Sequence, residues 1–282
     1  MTCFTFETKS NNMKKILLAA SSLCLMAIVA QAQQKEGKIT YERTTQMQIR
    51  FAGGNDEMER MIPKSRTDKF ELTFGNNQSL WKQAEQENND DNSAMDGGGG
   101  MQIKMFVAGS DDVMYCNFDA AKKVEQREVF DKKFIVEDSI RPLKWKLSDE
   151  TKTVLNHPCR KAIATRLGKR TMMNMDNGKM ERKEVDDTTT IIAWFTSDIP
   201  VSAGPAEYQG QLPGLILEMD INNGRQTFKA VNISEKADIA SIKEPQGKKR
   251  YTPDEFKKEQ DKMMEEMQRN NQGGGQRVIR MN

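Results

Sequence analysis

Residues 217–233 read LEMDINNGRQTFKAVNI, and their pattern decides the fold class. Leu215, Leu217, Met219 and Ile221 are apolar at every second position, with Glu218 and Asp220 set between them. A period of two is that of a half-buried strand, because successive side chains point to opposite faces. Asn223-Gly224 then supplies two residues that tolerate positive φ. Between two strand-like runs this is the signal of a type I′ hairpin turn. The stretch predicts an antiparallel hairpin.

The same alternation recurs on both sides. It runs through Ile39, Tyr41, Met47, Ile49 and Phe51, then through Phe70, Leu72 and Phe74. It returns in Ile103-Met105-Val107, in Val113 and Tyr115, in Leu143-Trp145-Leu147 and in Ile191-Ala193-Phe195. Asn177-Gly178 is a second turn signal, between RTMMNM and KMERKEV. No long amphipathic helix separates these runs, which argues against parallel βαβ units. The expected fold is mainly β: a single antiparallel, curved sheet, half-barrel or sandwich with one apolar face, followed by a C-terminal helix and a flexible tail.

The ends of the chain differ in character. MKKILLAASSLCLMAIVAQAQ (13–33) has two lysines, an apolar run and Ala30-Gln31-Ala32. Those are the three regions of a secretory signal peptide, with Met13 as the expected start and cleavage after Ala32. The apolar run is shorter than the roughly 20 residues of a membrane span. Leu23 before Cys24 is wrong for a lipid-attachment motif. Residues 33–244 are then expected to form the β-rich domain. Within it ENNDDNSAMDGGGG (87–100) is a polar, glycine-rich excursion with too little to bury. In 245–282, Thr252 stands as N-cap before Pro253, with Asp254 and Glu255 in the first turn of a helix. Phe256, Met263, Met264 and Met267 share one helical stripe, to dock on the domain or to grip a partner.

Composition narrows the function further. The net charge of +2 gives no electrostatic argument for nucleic acid. His157 is the only histidine, so a three-histidine zinc site is excluded and any His-based triad rests on one residue. No H-E-x-x-H, C-x-x-C or G-x-S-x-G occurs. Asp90, Asp91 and Asp96 lack calcium-loop spacing, so neither metal nor cofactor is expected. After cleavage Cys116 and Cys159 remain. An exported chain permits a disulfide between them, closing a loop of 44 residues and contributing about 4 kcal/mol in the chain-entropy model. The alternative is two buried thiols, and spacing does not choose.

AWFTSDIPVSAGPAEYQGQLPGLILEMD (193–220) holds three prolines and three glycines. No Gly-Lys-Ser/Thr follows them, so a phosphate loop is not indicated. Pro200 ends a strand, and Gly204-Pro205 and Pro213-Gly214 fix two turns. Trp194-Phe195-Thr196, Ile199-Pro200, Gly204-Pro205 and Leu212-Pro213-Gly214-Leu215-Ile216 together resemble the GLPGLI family of exported cell-envelope proteins. Trp145, Cys159, Lys161 and Ala162, within KWKLSDETKTVLNHPCRKA (144–162), are similar to that family's second block. Gln211 departs from the name-giving motif at its first glycine. The resemblance implies an envelope β-protein and carries over no catalytic residue.

The expectation is a non-enzymatic binding protein, periplasmic or secreted, for a hydrophobic ligand or lipid. Trp145, Trp194 and Phe195 would line the apolar face. Gly204, Pro205, Leu212, Pro213 and Gly214 would form a stiff loop at its rim. The rival is an envelope scaffold that docks a partner protein through the C-terminal helix or a sheet edge, and a hydrolase using Cys159, Ser202 or the acidic residues stands third.

Overall fold

The computed structural model describes residues 34–46, 64–84, 112–129, 132–176 and 179–272, with side chains left out at 170–184, 267–268 and 270–272. The expected signal peptide, 87–100 excursion and final tail, the expected strand positions Met47–Phe51 and Ile103–Val107, and the expected turn at Asn177-Gly178 lie outside these residues.

Among the described residues, twelve strands form one sheet. In chain order they are β1 (Gly37–Gln46), β2 (Ser65–Gly75), β3 (Gln78–Gln83), β4 (Val113–Asn117), β5 (Lys122–Val129) and β6 (Lys132–Ser139). Then come β7 (Lys146–Val154), β8 (His157–Asp176), β9 (Lys179–Thr196), β10 (Leu215–Ile221), β11 (Gln226–Ser234) and β12 (Arg250–Tyr251), followed by helix α1 (Pro253–Gln272). The spatial order is β12-β6-β5-β4-β3-β2-β1-β11-β10-β9-β8-β7. Two meanders, β1–β6 and β7–β11, are therefore joined by the antiparallel β1–β11 pair. All pairs are antiparallel except the short β12–β6 pair.

This order forces curvature. Strands β6 and β7 stand ten strand spacings apart, about 48 Å if the sheet were flat. Yet Ser139 and Lys146 are joined by six residues, a link of at most roughly 25 Å. The ends of the sheet must bend toward each other, and residues 140–145 bridge the seam. The expected strand Leu143-Trp145-Leu147 is mostly this bridge, because β7 begins only at Lys146.

The two faces follow from the register. The concave face carries Ile39 beside Leu72 and Tyr41 beside Phe70. Trp81 lies next to Leu72 and stacks on Phe70 with centroids 5.0 Å apart. The convex face carries a row in which Lys161, Trp194, Glu218, Lys229, Glu42 and Lys69 are successive cross-strand neighbours. Alternating charge on neighbouring strands supports the pairing and keeps this face wet. A second, smaller core of Tyr115, Val124 and Ile135 lies under Ile242.

Turns are built on positive φ. Asn76-Asn77 (φ 52° and 55°) and Leu155-Asn156 (φ 47° and 65°) each connect two strands with two residues. The 217–233 hairpin forms as expected but with four loop residues, since the ladder closes at Ile221 and Gln226. Asn222 joins Asn223 and Gly224 at positive φ, and the Asp220 carboxylate accepts from the Gly224 amide at 2.6 Å. Helix α1 starts with a reciprocal capping box: the Glu255 amide donates to the Thr252 hydroxyl and the Thr252 amide to the Glu255 carboxylate. Phe256 is buried against Phe134 and Val136, so the helix docks on its own sheet.

Candidate functional site

The segment 197–214 turns inward after β9 and fills the middle of the concave face. Ile199, Tyr208, Gln209 and Leu212 on it are all at least 96% buried. It is not a rim: Gly204, Pro205, Leu212 and Gly214 are buried, and only Pro213 of the expected loop residues reaches the surface. The reason is compact internal bonding. The Ser202 hydroxyl donates to the Leu212 carbonyl at 2.7 Å, and the Gly210 amide donates to the Ser202 carbonyl at 2.7 Å. The Ile216 amide then donates to the Ala203 carbonyl at 3.0 Å. With its backbone polar groups paired within the loop, the segment can be buried.

Two glycines are demanded by this arrangement. A Cβ on Gly214 would lie 2.2 Å from the Thr196 carbonyl oxygen, so only glycine allows β10 to begin there. Gly210 sits at φ 71°. Its neighbours hold the loop in place. Gln209 accepts from the Ser79 hydroxyl and donates to the Ala206 carbonyl. Gln211 accepts from the Leu143 amide at 2.8 Å and from the Trp145 indole at 3.3 Å, and donates to the Arg141 carbonyl. The residue that departs from the GLPGLI motif is thus the clamp on the seam bridge. Sequence reasoning missed Tyr208, Gln209 and Gln211; two amides flanking a glycine inside a Pro/Gly stretch were the available signal.

The aromatic candidates divide. Phe195 is in the concave core, Trp145 is half-buried at the seam, and Trp194, which alternation turns to the opposite, convex face, is half-buried there and packs against the edge of the same core. There the Lys152 ammonium sits 4.5 Å from the Trp194 ring centroid while also pairing with Glu218. Adjacent strand residues cannot share a face, so Trp194 and Phe195 do not line one surface.

The nucleophile candidates are not assembled for catalysis. The Cys159 thiol donates to the His157 backbone carbonyl at 3.5 Å, whereas the His157 imidazole faces Asp198 at 3.6 Å. Burial pushes the Cys159 thiol up to about 11, with Lys152 offsetting part of the effect. Cys116 on β4 is likewise pushed up to about 12 by burial. Both cysteines are free and buried, the second of the two states left open by spacing. The Ser202 hydroxyl is engaged by a carbonyl, which activates nothing. Among the described residues, no cluster of three metal-ligating side chains is present.

Among the described residues, two features are open to other molecules. One is a cleft of about 170 Å³ at the seam. Lys123 and Asp138 form one wall, Arg141 the bridge, and Arg166, Glu207 and Tyr208 the other wall. The other is the β8–β9 ribbon. Pairing with β7 stops at Ile163 and pairing with β10 stops at Ile191. From Thr165 opposite Thr190 to Asp176 opposite Lys179, the ladder is two strands wide among the described residues, a length of about 40 Å. No helix of the described residues is long and apolar enough to cross a membrane, which says nothing about spanning strands.

A family model described as "Protein of unknown function (Porph_ging)" matches residues 145–218, a span that holds Trp145, Cys159 and the Pro/Gly stretch. No curated protein matches the sequence. Among solved structures the chain is similar to PNGF-II in its C2 and P21 space group structures, at 17% and 16% identity with TM-scores of 0.48 and 0.47. Each similarity covers 79% of this chain and 32% of the other, so the chain spans about a third of the length of those proteins.

Proposed function

We propose that this is an exported, non-catalytic envelope protein that engages a partner protein through the β8–β9 ribbon. The observation that carries the reading is the occupied concave face. A carrier of acyl chains or other hydrophobic ligands needs an apolar hollow, and that volume holds Ile199, Tyr208 and Leu212 of the protein's own loop. The C-terminal helix, the other docking element considered, spends Phe256 on Phe134.

The ribbon has what an interaction element needs. Its outer backbone edges extend past their neighbouring strands, and an extended peptide adds to such an edge through main-chain hydrogen bonds. Export is supported by the n-region, apolar run and Ala30-Gln31-Ala32 at the N-terminus.

Replacing residues 168–187 with Asn-Gly shortens the ribbon while retaining the sheet. The shortened protein should fractionate with the envelope and melt cooperatively, yet lose the partner that crosslinks to the full-length protein. Retention of that crosslinked partner would remove the ribbon from the mechanism. Displacement of an apolar fluorescent probe into the unmodified protein at micromolar affinity would restore the carrier reading.

A further inference from the structure

We propose that the seam cleft binds the carboxylate of a small mono-anionic ligand, with the Tyr208 hydroxyl and the Arg166 guanidinium as its donors. This proposal is independent of the ribbon. The cleft is assembled by the closure of the sheet: β5 and β6 supply one side, the base of β8 and the inward loop supply the other, and the bridge clamped by Gln211 crosses between them.

Tyr208 points to a ligand because its hydroxyl is left over. The side chain is 99% buried, and the hydroxyl has no hydrogen-bond partner of proper geometry. Buried polar groups are paired in the great majority of cases, so an orphan next to a cleft asks for an explanation. Its surroundings place it at the cleft. Burial first, and then the charge of the nearby Glu207 carboxylate together with a loose hydrogen-bonding contact to it, raise the phenol's pKa, while Arg166 acts in the opposite sense. Glu207 and Arg166 both line the cleft. The hydroxyl therefore keeps its proton at neutral pH and offers a donor, so the ligand atom that meets it is an acceptor.

Charge selects the acceptor. The lining carries Lys123, Arg141 and Arg166 against Asp138 and Glu207, one net positive charge. Glu125, which pairs with Lys123, is itself matched by Arg127 and leaves that balance unchanged. A monoanion neutralises this balance, whereas a phosphate dianion would leave the cleft with one net negative charge. The donor is available, because among the described residues Arg166 is held by Glu207 alone, at 3.4 Å, with both side chains nearly half exposed. Exposed pairs of this kind contribute little, and an incoming carboxylate takes the place of Glu207 on the guanidinium. The volume admits a polar head of a few heavy atoms.

Calorimetric titration of the purified protein with N-acetylglycine, glycinamide and inorganic phosphate tests this. N-acetylglycine, a carboxylate without an amine, should bind at one site, and glycinamide, an amine without a carboxylate, should not. Tyr208→Phe should weaken N-acetylglycine about tenfold while leaving the melting temperature unchanged or raised, because the orphan hydroxyl is gone. Arg166→Gln should weaken it at least as much. The proposal is overturned by any of three results: no N-acetylglycine binding up to 10 mM, equal affinity in Tyr208→Phe, or tighter binding of phosphate than of N-acetylglycine. Tyr208→Phe conserves shape and apolarity, so the test stands even where Arg166→Gln perturbs folding.

Discussion

The Tyr41 hydroxyl donates to the backbone carbonyl of Ile216 at 2.5 Å, tying β1 to the point where the inward loop becomes β10. Ile216 sits at the irregularity in the β9–β10 ladder, where the Ile216–Glu218 register shifts. The tyrosine is wholly buried, so the bond is made out of water's reach. Tyr41→Phe keeps the ring against Trp81 and leaves that carbonyl short of a donor. Equilibrium denaturation should show a loss of about 1–2 kcal/mol.

Gly214 and Gly168 make a matched pair. Gly214→Ala drives a methyl into the Thr196 carbonyl and should destabilise by about 3 kcal/mol or prevent folding, above the ordinary cost of overpacking because the obstacle is backbone. Gly168→Ala on the ribbon meets nothing within 4 Å. It should leave stability unchanged or raise it by up to about 1 kcal/mol, since glycine weakens a strand interior. Thermal melts of the two variants check both.

Leu155 holds φ 47° in the β7–β8 turn, a conformation that a leucine adopts at a cost. The equivalent position of the β2–β3 turn is Asn76. Leu155→Asn should therefore stabilise the protein, by about 0.5–1 kcal/mol, and Leu155→Gly should gain less because glycine has more freedom to lose. A loss of stability in Leu155→Asn would mean that the half-exposed leucine side chain contributes packing that outweighs the strain.

Glu125 gives the fold a dependence on acidity. Burial alone would raise its pKa, but Lys123 and Arg127 beside it prevail and hold it below its ordinary value of 4.5. A carboxylate with a lowered folded-state pKa contributes stability above its unfolded pKa and loses it as the pH falls through the folded value. Denaturation midpoints should be flat from pH 7 to 5 as far as this group is concerned and should then drop below pH 4.5. Glu125→Gln should start from lower stability and lose that part of the acid slope.

The thiols give a further measurement. With Cys116 and Cys159 pushed to about 12 and 11, little thiolate exists at pH 7.5. Protein lacking residues 1–32 should react slowly with iodoacetamide when folded and take up two equivalents in denaturant without reductant. Uptake only after reduction would show that the cysteines are bridged.

The local features were legible and the long-range ones were not. The alternation of Leu215 to Ile221, the positive φ at Asn223 and Gly224, and the Thr252 cap each depend on a few neighbouring residues. Even the face of Trp194 was implicit, because Phe195 beside it fills the core. The inward position of 197–214 depends on something else, the six-residue bridge that bends β6 toward β7. Nothing in the Pro/Gly stretch reveals whether the sheet around it is open or curled. Leu143, Trp145 and Leu147 show the converse error: their period of two is real, but Gln211 binds the segment as a bridge and no partner strand reaches it before Lys146.

The β1–β11 pair has a kinetic consequence. Strand β1, the first of the described strands, waits for residues 226–234 before its second neighbour exists, and neither meander alone has both walls around the loop. Native topologies dominated by such distant pairings fold in roughly milliseconds to seconds. A nascent chain of this design stays threadable until almost all of it has emerged, and then locks in one late event.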